Sequence, residues 1–86
     1  MYKLVDILDN ATHVPVYAKE IGQSVKGFTA EVGEQLVIHF ADGKHLRYPI
    51  VESVEEDDYG FWILTQFFDI NIEYSGKKKF SKSVDF

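Results

Sequence analysis

The segment from Gln35 to Val51 constrains the fold more than any other, because an Asp42-Gly43 pair separates two alternating apolar stretches whose register can be argued. A two-residue Asp42-Gly43 turn would set Phe40 opposite His45 and Ile38 opposite Arg47, mixing apolar and polar faces. A slip of one residue exchanges the two faces of a strand. A three-residue loop of Ala41, Asp42 and Gly43, with Gly43 in the left-handed position of a type I turn plus bulge, instead pairs Phe40 with Lys44, Ile38 with Leu46 and Leu36 with Tyr48. The apolar side chains then share one face. Val37, His39, His45 and Arg47 share the other, with His39 opposite His45 and Val37 opposite Arg47. Pro49 falls on this outward set, where its missing N–H predicts an edge or a bend.

Other parts of the chain also read as strands. Ser24 to Val32 places Phe28, Ala30 and Val32 on one face, with Lys26 beside them and Thr29 and Glu31 opposite, and Gly33-Glu34 ends the element. Phe61 to Tyr74 carries Trp62, Leu64, Phe68, Ile70, Ile72 and Tyr74 at even positions, interrupted by Gln66. Its 14 residues exceed the usual strand length, which predicts a bend or bulge near Gln66 to Phe68. Tyr2 to Leu8 reads as a buried strand or as a turn and a half of helix. Val14 to Ile21 reads as a short helix begun at Pro15 and stopped by Gly22, or as an irregular loop; the strand followed by a short helix is the expectation. The unit Gly33-Glu34, Leu36, Ile38, Phe40, Asp42-Gly43 resembles the turn-strand-turn of SH3-like barrels. A chain of 86 residues buries roughly two-thirds of its surface on folding, enough for one core. The expected architecture is a mainly β, small twisted barrel of five to six strands, SH3-like or OB-like, formed by residues 1–75.

Charge separates residues 76–86 from that body. Residues 1–75 hold 13 acids and 5 bases, a balance of −8, whereas residues 76–86 hold four lysines and one aspartate, a balance of +3. Five acids, Glu52, Glu55, Glu56, Asp57 and Asp58, fall within seven residues. The plain account of both runs is a solvated loop and a basic terminus. The functional account makes Glu55, Glu56, Asp57, Asp58 and Tyr59 a surface that docks on a basic protein partner, or that sets carboxylates where phosphates would sit in a nucleic-acid groove. The rival account makes Lys77, Lys78, Lys79, Phe80 and Lys82 a nucleic-acid-binding arm, although the acidic body repels phosphates within a Debye length of about 8 to 10 Å.

Several chemistries lack their residues. With no cysteine, the chain has no disulfide, thiolate metal site or thiol nucleophile. The longest apolar run, Phe61 to Leu64, is far below the span of about 20 residues of a membrane helix, and Asp6 and Asp9 interrupt the region where a signal peptide is apolar. The expectation is a soluble cytoplasmic protein with no membrane partner. His39 and His45 lie side by side in the argued register, but a structural metal site takes four protein ligands, so no metal and no cofactor is expected. The Glu55 to Asp58 run lacks the alternating spacing that wraps calcium. No Gly-x-Ser-x-Gly, phosphate-binding glycine loop or His-Glu-x-x-His occurs, and a filled barrel leaves little room for a cleft, so the chain is read as not an enzyme.

Thirteen aromatics remain to be placed. Trp62, Phe68, Tyr48, Phe40 and Phe28 are assigned to the interior, whereas Tyr59, Phe61, Phe67, Phe80 and Phe86 are harder to bury. Tyr59 adjoins acids, and Phe80 adjoins lysines. The favoured function is therefore a non-enzymatic interaction module, a regulator or inhibitor of a protein partner. The alternatives are nucleic-acid binding through the basic tail and a small homo-oligomeric structural role.

Overall fold

In a computed structural model that describes residues 1–16 and 19–75, the chain forms six strands: β1 (Tyr2–Asp9), β2 (Ser24–Thr29), β3 (Gln35–Phe40), β4 (His45–Glu56), β5 (Gly60–Thr65) and β6 (Phe68–Tyr74). Each strand pairs antiparallel with its chain neighbour, and β6 returns to pair with β1, closing the expected small barrel in sequential order. Closure gives every strand a neighbour on both sides, although β1 and β2 meet only where Tyr2 and Lys3 pair with Val25 and Ser24. Leu4, Ile7, Val25, Leu36, Ile38, Phe40, Tyr48, Val51, Ile63, Ile70 and Ile72 fill the interior.

The β3–β4 hairpin adopts the argued register. Leu36 faces Tyr48, Val37 faces Arg47, Ile38 faces Leu46 and His39 faces His45. Gly43 takes φ +96°, Phe40 N–H donates to Lys44 O at 2.8 Å, and the Asp42 carboxylate accepts from Lys44 N–H at 2.9 Å. Only a residue free of a β-carbon takes that φ without strain.

Closing six strands around a narrow interior needs sharp local twist, and bulges supply it. The register advances two residues against one at Val5 in β1, Lys26 in β2, and Pro49 and Glu52 in β4. Pro49 therefore sits where an unpaired N–H is no loss, and the bend expected from its position is present. At each bulge the inward face changes parity, so inward residues recur after three: Leu4 then Ile7, Val25 then Phe28, Tyr48 then Val51.

Three expectations are corrected. Among the described residues no helix forms between Val14 and Ile21; instead Val16 N–H donates to Ile7 O at 2.8 Å and Asp9 N–H to Val14 O at 2.9 Å, laying this segment along β1. Pro15 pairs there with Leu8, and strand pairing to β1 satisfies backbone groups that a single helical turn would leave open. Phe61 to Tyr74 is not one bent strand but a hairpin, with Leu64 facing Asp69 across a Gln66-Phe67 turn. The reversal changes which residues face inward: Ile63 enters the core, while Trp62 and Leu64 move to the outer face, opposite Asn71 and Asp69. Finally, β2 stops at Thr29, and Val32 is 66% exposed in the turn that follows.

The Gln66-Phe67 reversal contains no residue of positive φ and no glycine. Thr65, fully buried, closes it: its hydroxyl accepts from Phe68 N–H and donates to Phe68 O, both at 3.0 Å. Asn10 reaches over from the end of β1. Its side-chain amide donates to Thr65 O at 3.2 Å and Gln66 O at 3.1 Å, and its backbone N–H donates to Phe67 O at 3.0 Å. Among the described residues no helix is long and apolar enough to cross a membrane.

Candidate functional site

The β2–β3 turn lies against Val51 midway along β4, whereas the start of β1, the β4–β5 turn and the end of β6 lie together, since Tyr2 pairs with Tyr74 and Gly60 with Glu73. Four inward aromatics meet there. Phe28 contacts Phe61 at 5.1 Å between ring centroids and Tyr2 at 5.3 Å, Tyr2 contacts Tyr74 at 5.9 Å, and Phe61 contacts Tyr74 at 5.5 Å. Several of these pairs stand edge to face, the arrangement favoured by the ring quadrupole. All four rings are half-buried, so they stop the mouth of the barrel while presenting part of their surface outward.

Phe61 is thus an inward residue, contrary to the expectation that it would resist burial, and Trp62 exchanges places with it. Tyr59 and Phe67 are exposed as expected, at 54% and 60%, but at opposite ends of the barrel. Phe80, Phe86, Lys77, Lys78, Lys79 and Lys82 lie outside the described residues.

The acidic stretch is not a plain loop. Glu55 and Glu56 belong to the end of β4, opposite Trp62 and Phe61 respectively, so one carboxylate faces outward along the barrel wall and the other stands over the aromatic mouth. The Tyr74 hydroxyl donates to Glu56. Asp57 is occupied by the turn itself: its carboxylate accepts from Tyr59 N–H at 2.8 Å and from Gly60 N–H at 3.0 Å, while its own N–H donates to Gly60 O at 2.9 Å. Tyr74 N–H donates to Tyr59 O at 2.8 Å, which ties the turn to the end of β6. Asp58 and the Tyr59 ring are left at the apex, on a backbone fixed from both sides.

At this mouth the end of β4 and the turn after it carry four carboxylates, Glu55, Glu56, Asp57 and Asp58, whereas Glu34 and Glu52 flank Val51, which pairs with Thr65 at the other end of β5. Residues 30–34 and 51–60 contain no basic side chain. Val54, 37% exposed, adds aliphatic surface to the same end as the mouth. The arrangement offers apolar contact ringed by negative charge, which suits a polypeptide carrying lysines or arginines next to apolar residues.

Sequence reasoning placed Glu55, Glu56, Asp57, Asp58 and Tyr59 together, and the structure keeps them adjacent while dividing their tasks. It missed Tyr2, Phe28, Tyr74 and Val54 as parts of the same surface. These residues come from four strands, and no local signal says that their ends meet. His39 and His45 do lie side by side on the outer face, with ring centroids 5.7 Å apart. Among the described residues no group of three or more histidines or carboxylates is placed to hold a metal ion. Two shallow grooves lie elsewhere: one of about 500 Å³ beside Leu46, Tyr48, Pro49 and Phe67, and one of about 560 Å³ beside Val37, His39 and Arg47 that reaches Glu34. Comparison with protein-family models, curated proteins and solved structures finds no match to this chain.

Proposed function

We propose that the chain is a non-enzymatic interaction module that docks on a protein partner through the acidic, aromatic end of its barrel and regulates or inhibits that partner. The observation that carries this reading is the joining of exposed Tyr59 and Val54, the half-buried aromatic mouth and the carboxylates Glu55, Glu56, Asp57 and Asp58 at one end of the barrel. Binding surfaces built on fixed backbone lose little entropy when they engage, and aromatic anchors supply most of the energy. Closely spaced carboxylates present to a basic groove what a polyanion presents, so occupation of such a groove is the form of inhibition proposed. Nucleic-acid binding through Lys77, Lys78, Lys79, Phe80 and Lys82 is less well supported, because phosphates held by a tail that starts at Ser75 would approach this same acidic end.

The test is capture by the immobilised full chain, with and without nuclease. Wild type is expected to retain a protein that resists nuclease and elutes with salt. The variant combining Glu55→Gln, Asp58→Asn and Tyr59→Ala is expected to retain about tenfold less or weaker still. These positions leave Asp57 and Glu56 in their structural hydrogen bonds. Equal retention by both chains, or retention that nuclease abolishes, overturns the proposal.

A further inference from the structure

His39 and His45 stand opposite one another on the outer face of the β3–β4 hairpin, and the hairpin sets how close they come. Phe40 N–H donates to Lys44 O, so the pairs that exchange backbone bonds are Phe40 with Lys44 and, two residues on, Ile38 with Leu46. His39 and His45 fall between them. At such a position of an antiparallel ladder the paired Cα atoms are closest, about 4.5 Å apart, and side chains meet. Both side chains are exposed, and their ring centroids are 5.7 Å apart. We propose that His39 and His45 chelate a first-row transition-metal dication such as Zn2+ on the outer face of the barrel.

The spacing suits this chemistry. An ion held by one nitrogen of each ring sits about 2.0 to 2.1 Å from both, which in tetrahedral geometry sets the two centroids about 5.2 Å apart. Rotation of two exposed side chains closes the remaining gap of about half an ångström. The space around the rings is open. Gly27 lies opposite His39 on β2, and no atom stands within 4 Å of where its β-carbon would be. Among the described residues neither imidazole takes part in a hydrogen bond or an ion pair, and the groove along Val37 and Arg47 opens beside His39. Imidazole nitrogen favours Zn2+, Cu2+ and Ni2+, whereas Mg2+ and Ca2+ take oxygen ligands. A closed structural site takes four protein ligands; two ligands make an open, exchangeable one, whose other positions are left to water or to a donor from outside the chain. Arg47, on the same face opposite Val37, repels a dication and keeps the affinity modest. Holding both rings on one hairpin offsets this, because the second nitrogen binds at the effective concentration of a tethered neighbour. The acidic stretch lies at the other end of β4, so this inference stands apart from the docking proposal.

Titration of the full-length, isotope-labelled protein with Zn2+, followed by nuclear magnetic resonance of the imidazole groups, tests it. Saturable shifts are expected at the rings of His39 and His45 and not at His13. His39→Gln and His45→Gln are each expected to weaken binding about tenfold or more, and His13→Gln to leave it unchanged. With a chelator present, wild type and the variants are expected to unfold at similar temperatures, whereas Zn2+ raises the Tm of wild type more than that of either single variant at His39 or His45. Affinity in both of these variants equal to that of wild type shows that the rings do not act together and overturns the proposal. Shifts confined to the β4–β5 turn and reproduced by Ca2+ assign the ion to carboxylates and overturn it too. The wild-type readout does not depend on a variant folding: rings of His39 and His45 that stay unshifted at millimolar Zn2+ also overturn the proposal.

Discussion

Gly60 is the residue with the least freedom to change. A β-carbon built there would stand 2.3 Å from Ile72 O and 2.5 Å from Glu73 Cα, both backbone atoms of the neighbouring strand, so relief requires β5 and β6 to separate. Gly43 has a comparable need for positive φ but open space around it. Gly60→Ala is accordingly expected to cost about 3 kcal/mol or more, and Gly43→Ala about 1 kcal/mol. Each kcal/mol lowers Tm by about 4 to 8 °C for a domain of this size, so thermal unfolding separates the two variants, and similar losses would contradict the clash argument. Asp9 illustrates a different constraint. The Ala11 N–H, then the Thr12 N–H, donate to its carboxylate and hold its pKa below the usual carboxylate range. A pKa depressed by folding contributes stability above the unfolded value of about 4 and loses it as pH falls through the folded value. In Asp9→Asn, which keeps an acceptor but cannot titrate, the fall in Tm on acidification through that range is expected to be smaller than in wild type.

Elements are bounded by side chains that finish what the backbone leaves open. The β5–β6 reversal shows this best, because Thr65 and Asn10 satisfy turn groups that an Asn-Gly or Asp-Gly turn would pair through its own backbone. Thr65→Val keeps the shape and removes the hydroxyl, leaving Phe68 N–H and O without that partner. A loss of about 1 to 3 kcal/mol is expected, together with faster hydrogen exchange at the Phe68 amide; unchanged exchange would show that the hydroxyl does not hold the turn. This is also where sequence reading failed for a physical reason. Hairpins are legible when the turn needs positive φ, as at Gly43, and are hidden when a buried threonine does the same task. Bulges obscure strands in a second way: inward spacing of three, as from Leu4 to Ile7, imitates a helical period and made Tyr2 to Leu8 ambiguous.

At the scale of the whole molecule, like charge is concentrated at one end of a closed barrel. Such a concentration opposes the compact state through self-repulsion, so neutralising it is expected to preserve or raise stability. Glu55→Gln and Asp58→Asn together are expected to change unfolding free energy by no more than about 0.5 kcal/mol, or to raise it by that order, with the gain shrinking as salt is added. Denaturant titration at two salt concentrations measures this. A marked loss of stability would show that these carboxylates hold the turn rather than face solvent, and it would remove them as candidates for docking.

Features settled between neighbours along the chain were readable from residues alone. The Ala41 to Gly43 loop, the β3–β4 register, the bend at Pro49, the pairing of His39 with His45 and the split between acidic body and basic tail all follow from turn chemistry, alternation or simple charge counting. The closure of β6 onto β1, the positions of the other bulges, the exchange of Phe61 for Trp62 on the inner face and the meeting of Tyr2, Phe28, Phe61 and Tyr74 do not. Each of these depends on groups distant in sequence competing for one narrow interior, and strand periodicity is indifferent to which strand ends meet. The acidic run was visible as a run; its place on the rim of an aromatic mouth was decided by the barrel.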